Sequence, residues 1–212
     1  LKTCHADTLN SHQYNSGNRV PIKRRKLLLY LFCLFIVVQV AANIDGDSHE
    51  NHLRVPDAYE NDPKLREKIL AFKKGGVGKK IDTDNYDREG IIDYAESLLG
   101  TPHVMGGYSS SGLDCSGMVK LAHAQFDVDL PRSSHDQGRY GTIISPGEEL
   151  KRGDLVFFHS TYRKPHLITH SGIYLGENKF IHTSSSRGVT ISALFDSGYW
   201  QDHYLFATRL ED

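Results

Sequence analysis

The stretch Gly112-Leu113-Asp114-Cys115-Ser116-Gly117-Met118-Val119 holds a thiol in a setting suited to nucleophilic chemistry. A turn-forming stretch, Gly106 to Ser111, precedes it. Apolar residues at helical spacing, Val119, Ala122 and Phe126, follow it. The pattern predicts a loop entering a helix, with Asp114 as N-cap and Cys115 in the first turn. There the thiol faces the positive end of the helix dipole, which favours the thiolate, the nucleophilic form. A lone Cys is more often a small buried hydrophobe. Here Asp, Ser and Gly on both sides argue for a nucleophile instead.

A thiol nucleophile needs an imidazole that takes its proton and returns it to the leaving amine, and a third polar group that orients the imidazole. Residues 167–175 alternate, with Ile168, His170, Gly172 and Tyr174 on one face of a strand. Gly176-Glu177-Asn178 is a turn, and Lys179 to Thr183 a second strand. A three-residue loop sets Leu175 opposite Lys179 and Gly172 opposite His182. His170 and His182 then share a face as diagonal neighbours, about 7 Å apart at the backbone, with Gly172 leaving room between them. A two-residue turn sets them on opposite faces. Two other readings stay open: ordinary strand histidines, and a zinc site of one Cys and two His, whose spacing fits no common zinc pattern.

The elements that must position these groups are legible in outline. The core domain begins near Asn85. Ile91, Ile92, Ala95, Leu98 and Leu99 form a helical stripe that Gly100 ends. Leu130-Pro131-Arg132-Ser133-Ser134 breaks the Cys115 helix into a loop. Residues 137–144 read as partly helical or irregular. Lys151 to Asp154 is a turn and Leu155 to Phe158 a buried strand. Upstream, Asp62-Pro63 opens a short helix with Leu65, Ile69 and Phe72 on one side, closed by Lys73-Lys74-Gly75-Gly76. That helix either docks on the domain or stands off as a stalk.

The chain's 212 residues suit one domain plus extensions, or two small domains, and 39% hydrophobic with 24% charged residues describes an ordinary soluble composition. A formal net charge of -1 and the lack of a basic face give no support to a nucleic-acid partner. A basic cluster, Lys23-Arg24-Arg25-Lys26, precedes an apolar run, Leu27 to Val38, and small residues Val40-Ala41-Ala42. Together they predict a secretory signal peptide cut before Asn43. The run is short for a bilayer span, which needs roughly 20 residues. An uncleaved anchor tethering the protein to a membrane is the alternative. Residues 1–19 are polar and unpatterned and begin with Leu1, which suggests a start site upstream or near Val20. Cys4 and Cys33 fall in or before this leader, so the exported protein retains one thiol, Cys115. Residues 43–61 read as an acidic, solvated spacer.

From about residue 86 onward the chain resembles the NlpC/p60 family of papain-like cysteine peptidases, which cut peptidoglycan stem peptides. Six stretches carry the resemblance in order: Leu99 to Gly107, Asp114 to Gly117, Leu130 to Ser134, Arg152 to Phe158, His170 to Gly176, and Phe180 to His182. It implies an α+β papain-like fold, helices packed on a twisted antiparallel β-sheet. It implies Cys115 as nucleophile, His170 as base and His182 as the orienting residue. Asp114, Ser116, Arg132 and Ser133 stand where the family binds its peptide. His103 departs from the pattern: the family usually has Tyr there, and often Trp at Met105. An imidazole can replace the Tyr hydroxyl as hydrogen-bond donor, or bring its own pH dependence. The implied organisation is a leader at 1–42, a linker with one short helix at 43–85, and a catalytic domain at 86–212. The implied protein is a monomeric cell-wall endopeptidase, without metal or cofactor, in the bacterial envelope, periplasmic or secreted. Its rivals are a non-catalytic wall-binding relative and an amidase of the same fold acting on another amide.

Overall fold

A computed structural model describes residues 62–196 and 198–211. The expected leader, with Cys4 and Cys33, and the acidic spacer lie outside the described residues. Among the described residues no helix is long and apolar enough to cross a membrane.

The first helix, α1 (Pro63–Lys74), begins where the sequence predicts. Asp62 caps it by accepting from the amides of Lys64 and Leu65, and Pro63 fills a position whose N–H has no helical partner. Leu65, Ile69 and Phe72 recur every turn and are all buried in the main core. The helix docks. Arg139 holds its end, donating to the carbonyls of Phe72 at 2.9 Å and Gly76 at 2.8 Å. The same guanidinium lies over the Phe72 ring, 4.4 Å from its centroid.

Helix α2 (Arg88–Ser97) is capped by Asp87 and buries Ile91, Ile92 and Ala95. A two-stranded ribbon, β1 (Tyr108–Ser109) and β2 (Gly112–Leu113), leads into α3 (Cys115–Ala124). A one-turn helix, α4 (Ser134–Gln137), follows, then β3 (Thr142–Ile144), β4 (Leu155–Phe158), β5 (His170–Gly176), β6 (Lys179–Ser184), β7 (Gly188–Ala193), α5 (Tyr199–His203) and β8 (Tyr204–Arg209). Strands β3 to β8 form one antiparallel sheet in the order β3-β8-β4-β5-β6-β7. The architecture is the expected α+β one. Sequence reasoning assigned no element to β3, β7, α5 or β8.

Alternation along the strands splits the sheet between two cores. Leu155, Phe157, Ile173, Ile181, Val189 and Phe206 meet the three long helices. Val156, Phe158, Phe180, Tyr204 and Ala207 form a smaller cluster on the other face, against Trp200 of α5. Fully burying one such aromatic contributes about 2 kcal/mol.

The β5–β6 connection differs from expectation. Gly176 pairs with Lys179, so the turn has two residues, Glu177 and Asn178, with φ of 48° and 60°. Both positive values fit a tight hairpin turn whose twist matches the strands. A two-residue turn alone sets the histidines on opposite faces. A bulge corrects this: the register shifts between Tyr174 and Gly176, leaving Tyr174 opposite Phe180 and Ile173 opposite Ile181. Leu175 is the extra residue. His170 and His182 share a face because the bulge restores the parity that the short turn removes.

Candidate active site

Cys115 is the first residue of α3, and Asp114 caps the helix by accepting from the Gly117 amide at 2.7 Å. Gly117 N–H is taken by the cap, while the amides of Cys115 and Ser116 have no carbonyl four residues back within the helix to bind. Gly117 lets the turn approach the preceding loop: a Cβ there would come within 2.2 Å of the Gly107 carbonyl oxygen. The residue is nearly buried, at 9% exposure. Its neighbours are the Ser134 hydroxyl at 3.7 Å and the backbone amides of Ser171 and Ser116. Burial pushes the thiol above its usual pKa, aided by the Asp114 charge and opposed by the Ser134 hydroxyl and the two amides. The expectation of a thiol made acidic by its helix is therefore corrected. Burial opposes the helix dipole here and favours the thiol form.

His170 opens β5, immediately before the Ser171 amide that lies against the sulfur. Its Nε2 is 3.0 Å from His182 Nδ1, the rings standing edge to face with centroids 5.1 Å apart. Nε2 is thus the ring nitrogen turned to His182, and Nδ1 is the one left for another partner. Gly172 makes the pairing feasible, since a Cβ there would lie 2.6 Å from the Ile181 carbonyl oxygen and 3.2 Å from His182 Cβ. His182 Nε2 in turn meets Ser192 Oγ at 2.9 Å. Trp200 covers both rings, stacked on His170 at 5.0 Å and edge-on to His182 at 4.7 Å. Burial drives the His170 pKa down to about 3, with His103 adding to the fall and Asp114 opposing it. It drives His182 down to about 2, helped by His170 and Arg187. Both rings are neutral at physiological pH. The facing nitrogens of the pair share one hydrogen, so they do not converge on a common ion as a zinc site requires. Among the described residues no group of three or more metal-ligating side chains comes together.

Cys115 and His170 line one cavity of about 780 Å³, together with His103, Asp114, Ser116, Arg132 and Ser133. His182 does not line it and lies behind His170. All five sequence-proposed peptide-contacting residues therefore reach the cavity, but not as independent groups. Arg132 donates to both carboxylate oxygens of Asp114, at 2.9 and 2.8 Å, to Ser116 Oγ at 3.0 Å and to the Gly107 carbonyl at 2.9 Å. The Asp114 charge is thus largely spent within the wall. Ser133 caps α4 by accepting from the Asp136 amide. His103 sits in the strand-like segment beside Leu113.

Three neighbours of the site escaped sequence reasoning. The sequence places Ser134 in a loop, yet its hydroxyl lies 3.7 Å from the sulfur. Gln137 binds three ways, donating to the carbonyls of Ser116 and Pro131 and accepting from Ser171 Oγ, and so ties α3 to β5. Trp200 arrives from α5, and its being the chain's single tryptophan was the one available signal.

The cavity thus joins a helix-initial thiol to an oriented imidazole, which is the equipment for nucleophilic attack on a carbonyl. The NlpC/P60 family profile matches residues 100–209, just over half of the 212. This chain belongs to the NlpC/P60 family. It is 43% identical over 122 residues to the probable endopeptidase NlpC of Escherichia coli K12, covering 57% of this chain and 77% of that protein. It is 39% identical over 123 residues to the murein DD-endopeptidase MepS/murein LD-carboxypeptidase of the same strain, covering 57% and 61%. Identity to the gamma-DL-glutamyl hydrolase of Bacillus subtilis is 36% over 121 residues, 57% of this chain and 29% of that one. The match therefore spans less than two thirds of the latter two proteins. Among solved structures, an NlpC/P60 family protein from Bacillus cereus superposes with a TM-score of 0.54 at 30% identity, covering 61% of this chain and 42% of that one. The NlpC/P60 fold of the domain is thereby established.

Proposed function

We propose that this NlpC/P60 protein is a cysteine endopeptidase that hydrolyses amide bonds in the stem or cross-link peptides of bacterial peptidoglycan. One observation carries the reading: Cys115 shares a cavity with His170, whose Nε2 is held by His182 Nδ1 at 3.0 Å. Both E. coli relatives are named endopeptidases, and the name of the murein endopeptidase MepS supplies the substrate class.

With thiol and imidazole both neutral at rest, proton transfer accompanies attack. As Sγ bonds to the substrate carbonyl carbon, its proton passes to His170 Nδ1. Amides of the first turn of α3 hold the developing oxyanion. His170 then gives the proton to the leaving amine, and water cleaves the thioester, restoring the thiol. Asp114, Ser116 and Arg132, as one hydrogen-bonded unit, present polar groups to the peptide, with Ser133 and His103 on the same wall.

In this reading, residues 1–42 export the protein or tether it to a membrane, 43–85 are a linker whose helix α1 packs into the core of the catalytic domain at 86–212, and the protein is a monomer in the envelope. Purified peptidoglycan incubated with the protein should release muropeptides cut at a stem or cross-link amide, identified by mass spectrometry. Cys115→Ala should release none. Unchanged release by that variant eliminates the proposal.

A further inference from the structure

The hydrogen-bonded chain behind the thiol does not stop at His182. It continues to Ser192 on β7, the diagonal cross-strand neighbour of His182, since Thr190 pairs with His182 and Ser192 with Phe180. Ser192 Oγ lies 2.9 Å from His182 Nε2 and accepts from Arg187 Nη2 at 3.2 Å. This arrangement matters because the orienting group is an imidazole. A carboxylate behind His170 could only accept. A neutral imidazole donates from one nitrogen and accepts at the other, so the single hydrogen between His170 Nε2 and His182 Nδ1 can belong to either ring. On His170 it leaves Nδ1 bare, and the ring is a base. On His182 it forces the hydrogen of His170 onto Nδ1, and the ring cannot take the thiol proton. Something beyond the pair must decide.

We propose that Ser192 is a positioning residue: its hydroxyl oxygen accepts the Nε2–H of His182 and so holds the pair in the tautomer in which His170 can receive the proton of Cys115. This rests on the thiol mechanism above. The hydroxyl oxygen has two lone pairs, so it accepts from both His182 and Arg187 while its own hydrogen turns away. The same arrangement is obligatory once His170 is charged, because an imidazolium donates from Nε2, which makes His182 Nδ1 an acceptor and Nε2 a donor in need of a partner. The balance is simple: the Sγ–H bond breaks, the Nδ1–H bond forms, and the two Nε2–H bonds stay as they were. Arg187 also discourages a proton on His182, so the new charge remains on His170. The pair is also faced by His103 and Asp114, towards His170, by the Trp200 ring over both, and by the Phe180 and Phe158 rings against His182 and His170.

Ser192→Thr and Ser192→Val test this with side chains of matched shape, one with a hydroxyl and one without. The readouts are the rate of Cys115 alkylation by iodoacetamide at neutral pH and the imidazole ¹⁵N shifts of His170 and His182. An unpaired N–H in the working state should slow alkylation in the Val variant by about 10- to 100-fold, while Thr stays within about threefold of the parent. The parent and Thr proteins should carry Nε2–H on both rings, and the Val variant should populate Nδ1–H on His182. Equal rates in the Thr and Val variants, or Nδ1–H on His182 in the parent, would overturn the assignment. Neither readout uses peptidoglycan, so a wrong substrate class leaves this test standing, and a failure here leaves the muropeptide assay to judge the substrate.

Discussion

Arg132 joins the N-cap carboxylate, the Ser116 hydroxyl and the Gly107 carbonyl through four hydrogen bonds. Its planar fork meets Asp114 bidentately, which an ammonium cannot do. Arg132→Lys should lower kcat/KM for stem-peptide cleavage by about 10-fold or more, the loss of one to two charge-assisted bonds. Steady-state kinetics check this. His182→Ala removes the acceptor behind His170 and should lower kcat by about 10²–10⁴-fold with a small change in KM. At this scale the nucleophile was legible in the sequence, because Asp114, Cys115 and Ser116 are chain neighbours and an N-cap is a local feature. The Arg132–Asp114 pairing, Ser134 against the sulfur and Trp200 over the histidines were not, because each joins segments distant in the chain. The resting protonation of Cys115 was also hidden, since burial is a tertiary property that here opposes the local dipole.

The β5–β6 hairpin delivers both histidines, and its geometry depends on a two-residue turn plus a bulge at Leu175. Deleting Leu175 keeps the turn but removes the extra residue, and either His170 or His182 must then leave the shared face. Such a deletion should abolish cleavage while a folded sheet persists, measured by activity beside circular dichroism. A bulge leaves almost no trace in a short sequence, so the pattern predicts the shared face but not the two-residue turn that produces it. Helix α1 makes a second case. Its caps and apolar stripe were readable, but whether it docks depended on Arg139, 67 residues away from the Phe72 carbonyl it binds. Phe72→Ala should cost about 3–5 kcal/mol in urea unfolding, by lost burial and the cavity left behind. A change below about 1 kcal/mol would contradict the docking.

Across the molecule, burial depresses several imidazoles together. His123 is fully buried on α3, its Nδ1 bound to the Val119 carbonyl and its Nε2 without a partner, and its pKa falls to about 4. His159 falls to about 4, His170 to about 3 and His182 to about 2, all chiefly by desolvation. In the unfolded chain these rings take up a proton near 6.5. Above that pH they are neutral in both states and leave stability unaffected. As pH falls from about 6.5 to about 4 the unfolded state binds more protons than the folded one, so stability drops. His123→Leu should remove one such proton and flatten the stability–pH slope by up to about 1.4 kcal/mol per pH unit over that range, read from urea midpoints at several pH values. The α+β architecture was legible through the family resemblance and the strongly patterned strands. The sheet order was not: β8, from the C-terminus, inserts between β3 and β4, and no local pattern announces that.

Catalysis by a thiol nucleophile requires a covalent bond between substrate and residue 115. Mass spectrometry of the protein, acid-quenched within the first turnovers on a peptidoglycan stem peptide and digested, should find the acyl fragment as a thioester on the peptide containing Cys115. Substrate turnover with that peptide never acylated, and persisting in Cys115→Ala, would contradict it.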